Sequence, residues 1–284
     1  METQEENKKS FFKRFWWIIL IVIISGIIVL SIFNNINDKR QKEQKSNQVD
    51  KGFNWPSTTA KYITAVPVDL TQIESISKYR SCAGHIRDGY SFEGDLESDR
   101  SMKHYLLPVD AFKNTNDQVK IFAPFDGIVI KIDQEKDIKV GDEAILSGMG
   151  IHLSTSVDPN IDFVFGHVFL VRNFKVGDTV KAGELLGYAA TGCGKNGGRT
   201  GCTFDIDLST PGGVTAYNNR EVLGSVFDHM TDLVLAEFAK YGVTPENTKF
   251  TKEYRDTHPC KYEGPNKDRS ELGTLPDTTI KLTN

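Results

Sequence analysis

The sequence predicts a mainly β domain: an antiparallel β-sandwich with one C-terminal amphipathic helix, preceded by a single N-terminal transmembrane helix. Three observations predict it. Ile128, Ile130 and Ile132 alternate with Val129 and Lys131 behind the turn signal Asp126-Gly127, which is strand periodicity. Val176-Gly177-Asp178 and Ala182-Gly183-Glu184 are two turns one short strand apart, with glycine where positive φ is needed. Phe15 to Phe33 is an uncharged apolar run. At about 1.5 Å per residue it nearly spans a ~30 Å hydrocarbon core.

Taken in order, residues 1–14 are polar and of mixed charge and are expected inside the cell. In the run 15–33, Trp16 and Trp17 sit where an interfacial aromatic belt is expected. A cleavable signal would end in small residues; this run ends in Phe33-Asn34-Asn35, which favours a retained anchor. Lys8, Lys9, Lys13 and Arg14 are balanced by Lys39, Arg40, Lys42 and Lys45, so flanking charge hardly decides orientation. All four cysteines, Cys82, Cys193, Cys202 and Cys260, lie beyond the helix. An even set in an exported domain favours disulfides, which places the C-terminal part outside the cytoplasm. Cys193 and Cys202 flank a glycine-rich loop that a hairpin disulfide would close, and Cys82 with Cys260 would then tie the ends of the domain. Four cysteines allow three pairings, and spacing does not choose among them.

Residues 34–52 form a polar tether and 53–260 the folded domain, with its core at 104–208, its helix at about 220–241 and a polar tail at 261–284. The 284 residues allow one sizeable domain with appendages, and a net charge of −4 gives no electrostatic case for nucleic acid. Lys61 to Leu70 is expected as an edge strand because Pro67 cannot donate in a sheet interior. The irregular stretch from Ser81 to Pro108 concentrates His85, Arg87, Asp88, Tyr90, Glu93, Asp95 and His104. Loops of this content on a rigid β-scaffold commonly carry function, so Arg87, Asp88, Tyr90 and Glu93 are candidate binding residues. The alternative is a structural loop stapled by Cys82. In Gly150 to Val157, Ile151, Leu153 and Thr155 point one way, and His152 is expected as a hydrogen-bonded strand residue. Thr203, Asp205 and Asp207 share a strand face. Three oxygens suit a hard cation, but solvent exposure is the expected fate. Val222, Val226, Met230, Leu233, Val234, Phe238 and Tyr241 recur at helical spacing before Gly242, with His229 expected on the exposed side.

The order of the pieces adds a resemblance. Ala123-Pro-Phe-Asp-Gly-Ile-Val129, then Phe165-Gly166-His167, then Val176-Gly-Asp-Thr-Val-Lys-Ala-Gly-Glu-Leu-Leu-Gly187, then a short alternating strand, resembles the lysostaphin/LytM-type zinc peptidases over residues 104–208. That resemblance implies a duplicated hybrid motif related to biotinyl and lipoyl domains, and a zinc held by His-x-x-x-Asp and part of a His-x-His strand. It gives His167 the role of orienting water or stabilising the tetrahedral intermediate. The closing strand departs from it: where His-Leu-His-Phe-Glu would stand, the chain has Gly201-Cys-Thr-Phe-Asp205. At the front, His104 precedes Asp110 and His85 precedes Asp88, neither at the family's spacing. A rearranged zinc site would draw on His85 or His104, with Asp205 or Asp207 and His167; a catalytic zinc normally needs three protein ligands and an open position.

Three functions follow from the resemblance. The first is a single-pass membrane-anchored, extracytoplasmic peptidase-like domain that binds cell-envelope polymer or a partner protein without catalysis. The second is an active zinc endopeptidase acting on cell-wall peptides. The third is a membrane-fusion-type adaptor, which would require a heptad hairpin that the stretch between Gly127 and Val176 does not supply. A lipoyl-type carrier is disfavoured because Met102-Lys103 lies outside the motif.

Overall fold

A computed structural model describes Gly26 and residues 52–85, 87–134, 138–140, 143–145, 148–192, 202–213, 216–260 and 277–283. For residues 87, 88, 138–140 and 143–145 it describes the backbone alone. The apolar run 15–33 lies outside the described residues apart from Gly26. Among the described residues no helix is long and apolar enough to cross a membrane.

Asn54–Asn284 is a compact unit of its own. It is mainly β, as expected. Its strands are β1 (Ile73–Ser77), β2 (Arg87–Ser91), β3 (Leu96–Arg100), β4 (His104–Pro108), β5 (Lys120–Phe122), β6 (Gly127–Gln134), β7 (Ile138–Val140), β8 (Glu143–Ile145), β9 (Met149–Ser154), β10 (Asp162–Leu170), β11 (Thr179–Val180), β12 (Leu185–Ala189), β13 (Phe204–Ser209), β14 (Glu221–Gly224) and β15 (Thr279–Lys281). Thirteen of these join one sheet in the order β11-β6-β9-β10-β13-β14-β2-β3. From it β4, β1 and β15 branch off β13, and β12 and β5 branch off β10. The remaining two, β7 and β8, pair only with each other. The sheet is mixed rather than wholly antiparallel, because β14 runs parallel to β2.

β10 is the hub. Residues 162–166 pair with β13, and residues 168–170 pair with β12. The hand-over falls at His167, whose φ is +62°, and the register with β9 shifts between Phe165 and Val168. Phe163 and Phe165 enter the core, and strict alternation would send residue 167 after them. The bulge adds one residue, so Val168 returns to the core and His167 falls on the opposite face. β13 is buried throughout: Phe204, Ile206 and Leu208 face the core, and Asp205, Asp207 and Ser209 face the other way.

The two glycine turns are built alike. The Gly177 N–H donates to the Val129 carbonyl at 2.8 Å, and the Val129 N–H returns a bond to Asp178 O at 2.9 Å. The Gly183 N–H donates to Ala123 O, and Ala123 N–H returns one to Glu184 O, both at 2.9 Å. Both glycines have positive φ, +92° and +79°. The Arg172 guanidinium spans the two turns, 3.1 Å from Asp178 Oδ2 and 3.3 Å from Glu184 Oε1.

Several expectations are corrected. The helical pattern at 220–241 is not one helix. Its first residues form β14, then comes a 3₁₀ turn at Val226–His229, and only Asp232–Ala239 is α-helix (α1). Thr231 is extended and starts α1, while β14 is claimed by pairing with β2 and β13. A second short helix, α2 (Lys252–Thr257), follows with a Thr251 cap. His229 is buried, not exposed: Nδ1–H donates to Ala60 O at 2.9 Å and its ring stacks on Tyr62. Lys61 to Leu70 makes only isolated bridges at Ile63 and Val68. In β6, where alternation alone leaves the buried face open, Val129 enters the core and Ile128 is 44 % exposed. The polar tail is not featureless: Thr279–Lys281 pairs with β1. Cys82 and Cys260 form a disulfide. Cys202 is also disulfide-bonded, and Cys193 lies outside the described residues.

Candidate functional site

The face of β9, β10 and β13 opposite the core is the floor of a cavity of about 640 Å³. Register builds that floor. His152 on β9, Val164 on β10 and Asp207 on β13 are directly cross-paired, as are Gly166 and Asp205. Gly166 lies close against Asp205: a Cβ would stand 3.1 Å from Asp205 Oδ2 and 3.2 Å from Oδ1, so a side chain there would press on that carboxylate.

Lys103, just before β4, reaches over this floor. Its ammonium lies 2.9 Å from Asp205 Oδ1 and 3.0 Å from Asp207 Oδ2, and all three side chains are nearly buried. Burial by itself would push the Asp205 carboxyl up. The Lys103 ammonium, helped by His167 and His85, outweighs burial and holds it below the usual carboxylate range. His167 Nε2 is 3.7 Å from Asp205 Oδ2. The bulge conformation is fastened from behind, where Ala190 N–H donates to His167 O at 2.7 Å. A positive φ on a non-glycine residue costs of order 1–3 kcal/mol and is a pointer to function.

A second charged row crosses the same floor. His152 Nδ1–H donates to Asp162 at 2.9 Å, and Nε2 lies 3.2 Å from Asp133 Oδ2. Asp133 also holds Lys131 at 2.5 Å. Burial would lower the His152 pKa, but Asp162 with Asp133 raises it on balance. Burial raises the Asp162 carboxyl; His152 and Lys131 oppose this, and the nearby Asp207 charge adds to it.

The sequence candidates divide. His85, His167 and Asp205 line the cavity together. His104 does not. It lies in the core at 1 % exposure, where Nδ1–H donates to Ser77 O at 2.8 Å and the Ser225 hydroxyl donates to Nε2 at 3.1 Å. Burial brings its pKa down to about 4. Tyr90 is half-buried, in edge contact with Trp55 and Tyr217. Glu93 is exposed, 3.8 Å from Arg80, and does not line the cavity. The side chains of Arg87 and Asp88 lie outside what is described. His152 is the hydrogen-bonded strand residue expected. Asp205 and Asp207 do not face solvent as expected: they are 3 % and 7 % exposed. Strand spacing alone reveals that the two aspartates share a face, but not that Lys103 would cover it.

Among the described residues no three His, Cys, Asp or Glu side chains are gathered to hold a metal ion. The arrangement around Asp205 does not fit a catalytic zinc: His167 and His85 stand near it, but the Lys103 ammonium already occupies the Asp205 and Asp207 oxygens for which a metal would compete.

No protein-family model matches the chain, and neither does any curated protein. Solved structures are similar in part. One is described as a glycyl-glycine endopeptidase lytM from Ruminococcus gnavus, at 16 % identity and a TM-score of 0.28, covering 42 % of this chain and 41 % of that one. A second is Helicobacter pylori Csd3, at 12 % identity and 0.32, covering 79 % and 47 %. A third is a variant of the catalytic domain of the prophage-encoded protein EnpA from Enterococcus faecalis, at 22 % identity and 0.26, covering 46 % and 88 %. The chain spans less than half the length of the first two. Likenesses at this level carry no statement about what this chain binds or does.

Proposed function

We propose that the chain is a membrane-anchored, extracytoplasmic domain of peptidase-like build that binds cell-envelope polymer or an envelope protein without hydrolysing it. The observation that carries the reading is Lys103. Its ammonium neutralises Asp205 and Asp207 from within the chain. A zinc hydrolase needs unoccupied ligand side chains and an open coordination place for water, and the carboxylates a rearranged site would draw on are already held by an ammonium. The Cys82–Cys260 disulfide suits an oxidising compartment, and the apolar run 15–33 suits a membrane anchor. What the cavity retains is a pre-formed, charged, half-enclosed surface of a size suited to one residue or sugar of a polymer.

A second reading, an active zinc endopeptidase, is favoured by one observation: His167, held in a strained conformation, shares the cavity with His85 and Asp205. Co-sedimentation of the purified chain with insoluble cell-envelope material, followed by assay of newly released amino groups, separates the two. The expected result is saturable retention, with no amine release and no effect of a chelator. Amine release abolished both by chelation and by His167→Ala would establish the enzyme instead.

A further inference from the structure

The cavity's charges do not balance. Five carboxylates, those of Asp133, Asp162, Asp205, Asp207 and Glu221, line it against two ammonium groups, those of Lys103 and Lys131, with the imidazoles of His85 and His167 beside Asp205. The His152 imidazole is shared between Asp162 and Asp133. Asp207 is the least satisfied of these groups. Oδ2 takes Lys103, but Oδ1 is buried and has no hydrogen-bond partner among the described residues. The residue is only 7 % exposed. A buried carboxylate oxygen left without a donor is costly, and a charge-assisted donor that reaches it gains roughly twice what a neutral one does. The Asp207 charge also presses on Asp162, so a cation seated here relieves two carboxylates. Val164, Gly150 and Gly166 line the same cavity and add an apolar part to it.

We infer that this cavity is a site for a primary alkylammonium group, of the kind that ends a lysine or ornithine side chain, with the Asp207 carboxylate as its counter-charge and Lys103 as a tethered competitor. The inference rests on the binding reading above and names the chemistry recognised. Lys103 already demonstrates the fit, since a four-carbon stem ending in an ammonium is what the two aspartates accept. An ammonium offers three N–H donors. A quaternary amine of equal charge offers none, and an alcohol on the same stem brings no charge.

The test is calorimetric titration of the full chain at constant ionic strength with n-butylammonium chloride, and with tetramethylammonium chloride and n-butanol as controls. Butylammonium is expected to bind saturably, at least about tenfold more tightly than either control. Asp207→Asn is expected to weaken it about tenfold, and Lys103→Met to strengthen it about tenfold by removing the competitor. If either variant fails to fold, the comparison of butylammonium with tetramethylammonium and n-butanol on the parent chain decides alone. Butylammonium binding no tighter than tetramethylammonium, or unchanged in both variants, overturns the inference. Envelope retention without butylammonium binding sinks this inference and leaves the proposed function standing. Butylammonium binding without envelope retention does the reverse.

Discussion

Acidification should destabilise this protein through His104 in a window set by its burial. The folded chain keeps the imidazole neutral down to about 4. The unfolded chain protonates it near the ordinary value of about 6.5. Between those values the unfolded state binds more protons, so stability falls as pH drops. His104 contributes fully above about 6.5, loses its contribution down to about 4, and changes nothing further below. A gap of about 2.5 units at 1.36 kcal/mol each makes the loss about 3 kcal/mol, a large part of a 5–15 kcal/mol total. His229, also lowered by burial, acts in the same direction, while His152, whose pKa is raised, acts in the opposite one. A His104→Asn variant isolates the effect. Its amide keeps a donor for Ser77 O but does not titrate, and it loses the edge contact with Phe227. Urea unfolding followed by tryptophan fluorescence, at pH values from about 7 to about 4, gives both stabilities. The variant's deficit should shrink by about 3 kcal/mol across that range. A deficit that stays constant to within about 0.5 kcal/mol would refute a neutral, buried His104.

The backbone at His167 makes a second prediction. His167→Gly removes a side chain but relaxes a φ of +62°, so stability should hold or rise by up to about 1 kcal/mol while envelope retention falls. A loss above about 1 kcal/mol in urea would mean that the ring, not the strand pairing, holds the kink. A third concerns Cys82–Cys260, which closes a loop with a sequence separation of 178. Chain entropy sets its worth at no more than about 5 kcal/mol. The double variant Cys82→Ala with Cys260→Ala should lower the unfolding midpoint and loosen the wall carrying His85, and a midpoint within about 2 °C of the parent would show that the ends are held by packing alone.

What was legible in the sequence follows physical lines. The β class, the two glycine turns and the burial of Ile151 and Leu153 were readable because each depends on a local period or a local φ. The helix at 220–241 was misread because Val222 satisfies helical spacing and strand burial alike, and only the partner β2, far away in sequence, decides. His229 and His104 went inward because carbonyl and hydroxyl partners from distant segments accept them, which no pattern announces. The site was half readable. His167, His85 and Asp205 are candidates by residue type, but Lys103 becomes a site residue only when β4 is laid against β13.

β15 carries a consequence for biosynthesis. Lys281 pairs with Ser75, and Ile280 with Ile76. Ribosomes deliver residues at about 5–20 per second, N-terminal ones first. The free edge of β1 is therefore made long before its neighbour exists. During that interval its unpaired amides are a template for any other extended chain. The strand that seals the edge follows every other described strand along the chain, so that edge stays open to mispairing until translation has passed Lys281.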